Sequence, residues 1–157
     1  MKKIIILLML ITVWGCATKI EKTSFLPESR QATCESSIGN DAVKYISWGI
    51  GKDNLEAQND AKKCAVYCCI MLDVTGGCKA MLNPEQKNDP NLKQYLENFF
   101  KDNSFNDFVS LTNEDRIDPD KRIKTADGRI KLGVQVVVRY TDLKNELKRA
   151  GFIKNFN

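Results

Sequence analysis

Apolar positions change their spacing several times along this chain, and each spacing predicts an element. Residues 4–14 are an apolar run with Thr12 as its one hydroxyl residue. Over residues 43–51 the apolar side chains Ile46, Trp48 and Ile50 recur at every second position. That period predicts a first strand with those three on its buried face. Asp53-Asn54-Leu55-Glu56 has the form of an acidic capping box, and a helix is expected from there to about Asp73. Its inner stripe, Ala57, Ala61, Cys64, Cys68 and Leu72, consists mainly of small residues, so the helix axis should lie close to a sheet. Gly76-Gly77 is expected to end it.

Residues 76–89 read as a loop broken by Asn83-Pro84. Asp89-Pro90 then signals a second helix, with Asp89 as its cap and proline at its first position. Leu92, Tyr95, Leu96, Phe99 and Phe100 form a full helical stripe, and Phe105, Phe108 and Val109 continue the apolar supply. Ile130, Leu132, Val134, Val136, Val138 and Tyr140 alternate with mostly polar partners, which predicts a long half-buried strand. Asp127-Gly128 just before it reads as a type I′ hairpin turn, pairing it with a strand over residues 120–125. A short helix capped by Thr141 should follow, with Leu143, Leu147 and Ala150 inward, Gly151 as its stop, and Phe152, Ile153 and Phe156 docking the tail. A long helix on a small antiparallel sheet, with an added helix and a short C-terminal helix, is a two-layer α+β arrangement.

The first apolar run carries the most specific signal. It follows Met1-Lys2-Lys3 and ends in Val13-Trp14-Gly15-Cys16. A short basic start, about 11 apolar residues and a small residue before the cut describe a secretory signal, too short to span a bilayer. The Val-x-Gly-Cys ending resembles the lipobox of bacterial lipoproteins, in which the cysteine is diacylated and becomes the new N-terminus. The resemblance implies lipidation at Cys16 and anchoring in a bacterial envelope. Ala17 is not the aspartate that retains such proteins in the inner membrane of enteric bacteria, so the outer membrane is expected. The expected organisation is a signal peptide over residues 1–15, a lipidated N-terminus and tether over 16–40, and one domain over 41–157.

Removing residues 1–15 from the 157 leaves 142, enough for one domain with a sizeable core. Of 24 Lys+Arg the signal removes Lys2 and Lys3, leaving 22 against 20 Asp+Glu, interleaved as in Asp115-Arg116-Ile117-Asp118. That balance offers no electrostatic footprint for nucleic acid. The chain has no histidine, which removes Ser-His and Cys-His nucleophile pairs and the most frequent zinc ligand. No catalytic motif stands out, and no enzymatic activity or cofactor is expected.

Gly49-Ile50-Gly51 after the first strand, Glu56-Ala57, Ala61, Cys64-Ala65 and Cys68 on the helix, and a hairpin followed by a short helix resemble a group of small bacterial envelope proteins. The group includes the LPP20-type lipoprotein family and the N-terminal domain of flagellar assembly protein T. The resemblance implies a long helix wrapped in a small antiparallel sheet, a dodecin-like core, and an accessory envelope role with no catalytic residues to carry over.

Five cysteines lie beyond Cys16: Cys34, Cys64, Cys68, Cys69 and Cys78. Three readings stand side by side. Cys64 and Cys68 can be small core residues in place of alanine. An oxidising compartment can join some of them, with Cys69 to Cys78 the expected disulfide and at least one thiol left unpaired. Cys64, Cys68, Cys69 and Cys78 can also be weighed as soft-metal ligands, although neighbours Cys68 and Cys69 project about 100° apart on a helix. The expected function is a non-enzymatic accessory, structural or assembly role, with the membrane as one partner and a second copy or other envelope proteins as others. The alternative is a ligand- or metal-binding lipoprotein that uses the cysteine cluster or an aromatic pocket around Trp48, Phe99 and Phe100.

Overall fold

A computed structural model describes residues 24–112 and 117–154. Cys16, the signal run and Phe156 therefore lie outside the described residues, and no described helix is long and apolar enough to cross a membrane. The fold is α+β. Strands β1 (Ala32–Ile38), β2 (Ala42–Gly51), β3 (Val109–Leu111), β4 (Arg122–Lys124) and β5 (Ile130–Val138) form one antiparallel sheet. Its order is β1-β2-β5-β3, with β4 on the same side of β5 as β3. Helices α1 (Asn54–Met71), α2 (Pro84–Lys87), α3 (Leu92–Lys101) and α4 (Tyr140–Arg149) complete it.

β1 falls inside the stretch expected to be a tether. Ala32 and Cys34 are its only buried side chains, so the segment carries little apolar signal. Backbone pairing with β2, from Ala32 opposite Ser47 to Ile38 opposite Ala42, holds it in the sheet.

The buried face of β2 is the reverse of the expected one. Val43, Tyr45, Ser47, Gly49 and Gly51 face the core, while Ile46, Trp48 and Ile50 are half-buried on the other side. The cause is the approach of α1. A Cβ on Gly49 would stand 2.1 Å from the Ala57 carbonyl oxygen and 2.2 Å from the Ala61 nitrogen. Only the smallest residues fit under backbone at that distance, so here small side chains mark the inside and large ones the outside.

α1 begins as expected, with the Asp53 carboxylate accepting from the Glu56 N–H at 2.8 Å; Glu56 reaches back to the Lys52 N–H at 2.7 Å. It ends five residues before Gly76. Leu72 turns extended, and the returning chain donates from the Met81 and Leu82 N–H groups to the carbonyls of Cys69 and Ile70. Those partners satisfy the free carbonyls of the last turn. Asn83-Pro84 opens α2 with a capping box to Gln86, where a loop was expected. α3 starts two residues late, because Asp89 spends its carboxylate on the Asn91 N–H in the preceding turn. Its stripe is as expected: Leu92, Leu96, Phe99 and Phe100 are buried and Tyr95 partly so.

The turn before β5 is not type I′, which needs two successive positive φ angles. Only Gly128 has one, at 85°, and its N–H donates to the Thr125 carbonyl at 2.9 Å. β4 is shorter than expected, since a 3₁₀ turn over Pro119–Lys121 takes its first residues. Thr141 lies inside α4 instead of capping it. Its hydroxyl donates to the Asn40 carbonyl and the Asp41 carboxylate, tying α4 to the β1–β2 turn. α4 ends in a Schellman arrangement, with Phe152 N–H on Leu147 O and Gly151 N–H on Lys148 O. Phe152 then packs 4.9 Å, centroid to centroid, from Tyr95. One hydrophobic core joins α1, α3, α4 and the helix-facing side of the sheet.

Candidate functional site

The chemistry-bearing groups gather where residues 24–31 cross α1. Ser29 and Ser47 are the two buried polar residues among those described, and both lie beside the Cys64 thiol. The Ser47 hydroxyl donates to the Ala61 carbonyl at 2.8 Å. Cys64 and Cys68, one helical turn apart, bring their sulfurs to 3.8 Å; their other polar neighbours are the carbonyls of Gln31 and Arg30. The hydrogen bond from Cys68 holds the Cys64 thiol below its ordinary range, while that bond and burial push Cys68 far above it.

Asp60, one turn earlier, binds the crossing segment. Its carboxylate accepts from the N–H groups of Glu28 at 2.9 Å, Ser29 at 3.2 Å and Ile50 at 2.9 Å. Burial raises its pKa, and those three donors oppose the rise. Further along, Glu97 of α3 accepts from the Ser24 hydroxyl and the Phe25 N–H, both at 2.9 Å, and Arg129 pairs with Glu28. The Arg30 guanidinium stacks 5.1 Å from the centre of the Tyr67 ring. Two helices and the turn before β5 therefore clamp this segment over the thiol pair. Both thiols have no solvent-accessible surface, so the arrangement packs and orders the segment and presents no open nucleophile.

The remaining cysteines separate. Cys34 and Cys78 form the disulfide, with Cα atoms 5.8 Å apart, and this replaces the expected Cys69–Cys78 pair. Cys69 points into the core against Tyr45, where burial pushes its thiol up to about 11 and Tyr45 well above the phenol range. Residue 78 instead follows the loop that pairs with β1 through Cys34 N–H and Thr75 O at 2.8 Å. Of the four metal candidates, only Cys64 and Cys68 meet. Among the described residues, no three acidic or cysteine side chains are grouped to hold an ion.

Phe99 and Phe100 fill the core beside Tyr67, Phe105 and Phe108, whereas Trp48 lies on the opposite face of the sheet. There Ile46, Trp48, Ile50, Val137 and Ile123 form a half-open apolar strip outside the main core. Trp48 lies across Gly133, with the Lys131 ammonium 5.3 Å from its ring centre. A separate cleft of about 660 Å³ runs between residues 24–30 and the outer side of α3.

Sequence reasoning missed Ser29, Ser47 and Asp60. A signal was present for two of them: Ser47 shares the strand parity of Gly49 and Gly51, and Asp60 sits against Ala57 and Ala61 on the small stripe. No family model, curated protein or solved structure matches this chain.

Proposed function

We propose that this is a lipid-anchored protein of a bacterial envelope with a non-enzymatic accessory role, akin to the LPP20-type lipoproteins and built on a dodecin-like core. The observation that carries the reading is the basic start, apolar run and Val-x-Gly-Cys ending at Cys16. Two features support it. The described fold begins at Ser24, a short step from the lipid attachment point. A Cys34–Cys78 disulfide suits an oxidising compartment outside the cytoplasm. The strip of Ile46, Trp48, Ile50 and Val137 gives an assembly role a surface to use, either for a second copy or for another envelope protein.

The test is expression of the full chain in a bacterium fed labelled palmitate, followed by mass measurement of the N-terminal peptide. Cleavage before Cys16 with label on that residue, lost together with membrane retention in Cys16→Ala, is the expected result. An unlabelled chain, or a Cys16→Ala variant that still fractionates with membranes, overturns the reading.

A further inference from the structure

We propose that the cleft between residues 24–30 and α3 is the face this protein lays on the bilayer that anchors it, and that it engages anionic phospholipid headgroups. The inference rests on lipidation at Cys16, and two observations carry it. The first is chain length. Ser24 is eight residues beyond Cys16, a reach of at most about 29 Å when fully extended. That is comparable with the width of a domain this size, so the face holding Ser24 stays nearest the lipid.

The second is charge. α3 turns its apolar stripe inward and leaves Lys93, Glu97 and Lys101 along the cleft at four-residue spacing, facing Arg30. Glu97, the one acid lining the cleft, is already bound by the Ser24 hydroxyl and the Phe25 N–H. Phe25 is 38 % exposed, with the Lys101 ammonium 5.7 Å from its ring centre. An exposed aromatic ring with surrounding cations and an engaged carboxylate fits the boundary between headgroups and water. Attraction of this kind falls off within a Debye length of about 10 Å at 0.1 M salt, so only the near face feels it.

The experiment uses the full lipidated protein, reconstituted into vesicles of phosphatidylcholine alone or with phosphatidylglycerol. Flotation first establishes attachment. Lysine acylation with mass readout then compares Lys93 and Lys101 with the exposed hairpin residue Lys124. Expected is a fall of at least about threefold in labelling of Lys93 and Lys101 in the anionic vesicles only, reversed near 1 M salt where the Debye length is about 3 Å, with Lys124 unchanged. Flotation with equal labelling in both vesicles overturns the docking face and leaves the anchor intact. Failure to float overturns the anchor, and this face with it.

Discussion

The two faces of the sheet follow opposite rules. On the helix side, Ser47, Gly49 and Gly51 lie under Ala57 and Ala61 so closely that backbone meets backbone. On the outer side, Trp48 lies over Gly133 and, with Ile46 and Ile50 at alternate positions of β2, stays half-open. Under the first turns of α1 the sheet gains its cohesion from dense contact between small groups, with Tyr45, Leu132 and Val136 filling the core further along, and the outer face covers backbone with large, half-exposed side chains. Over Ile46–Gly51 hydrophobicity alone points to the wrong face; volume points to the right one.

The sharpest way to break this contrast is to add a single methyl group to each face. Gly49→Ala places a Cβ against the Ala57 and Ala61 backbone, which cannot yield without moving α1. It should cost at least about 4 kcal/mol and leave little folded protein by circular dichroism. Gly133→Ala meets the Trp48 ring at 3.1 Å and the Lys121 Cβ at 3.3 Å, contacts that a shift of a few tenths of an ångström relieves. Its loss should stay near 1 kcal/mol by urea unfolding. Similar losses for the two would remove the distinction.

Between these lies Asp60→Ala, which strands the N–H groups of Glu28, Ser29 and Ile50. A loss of about 2–3 kcal/mol is expected, together with faster proteolysis within residues 24–31. The same carboxyl sets a pH signature. Because burial raises its folded pKa above the unfolded aspartate value of about 3.9, the folded state binds this proton more readily. Its contribution therefore favours folding at low pH and is lost as pH rises through the folded pKa. Melting temperatures of wild type and Asp60→Asn across the acid range should differ in slope with that sign; parallel curves would discard it.

The smallest effect concerns Cys69. With its thiol held up at about 11 and fully in the core, it should resist iodoacetamide at pH 8 in the native state and react once urea unfolds the chain. Labelling at the native rate of an exposed thiol would place Cys69 elsewhere.

Much of the architecture was legible in the sequence. α3 was written in Leu92, Leu96, Phe99 and Phe100, and β5 in the alternation from Ile130 to Val138, because each buries one apolar face and so shows its period. β1 was not, since backbone pairing to β2 holds it and pairing leaves no hydropathy trace. The end of α1 was displaced because returning backbone groups from Met81 and Leu82 terminate it, a contact no local signal announces. The site was half legible. Cys64 and Cys68 were placed on one face by their four-residue spacing, but the bond from Cys34 to Cys78 spans 44 residues and depends on where β1 lies. With β1 unread, Cys69 was the nearer partner in sequence and the wrong one in space.

That bond also decides how the molecule bears load. A pull on its N-terminal end first meets hydrogen bonds at Glu97 and Asp60 and the ion pair between Glu28 and Arg129. Past these, β1 would unzip from the edge of the sheet one residue at a time. The covalent link at Cys34 stops that rupture and passes the force to Cys78, in the loop that follows α1. Only residues 24–33 can be drawn out, so the domain behaves as a body with a short extensible leader and a fixed stop.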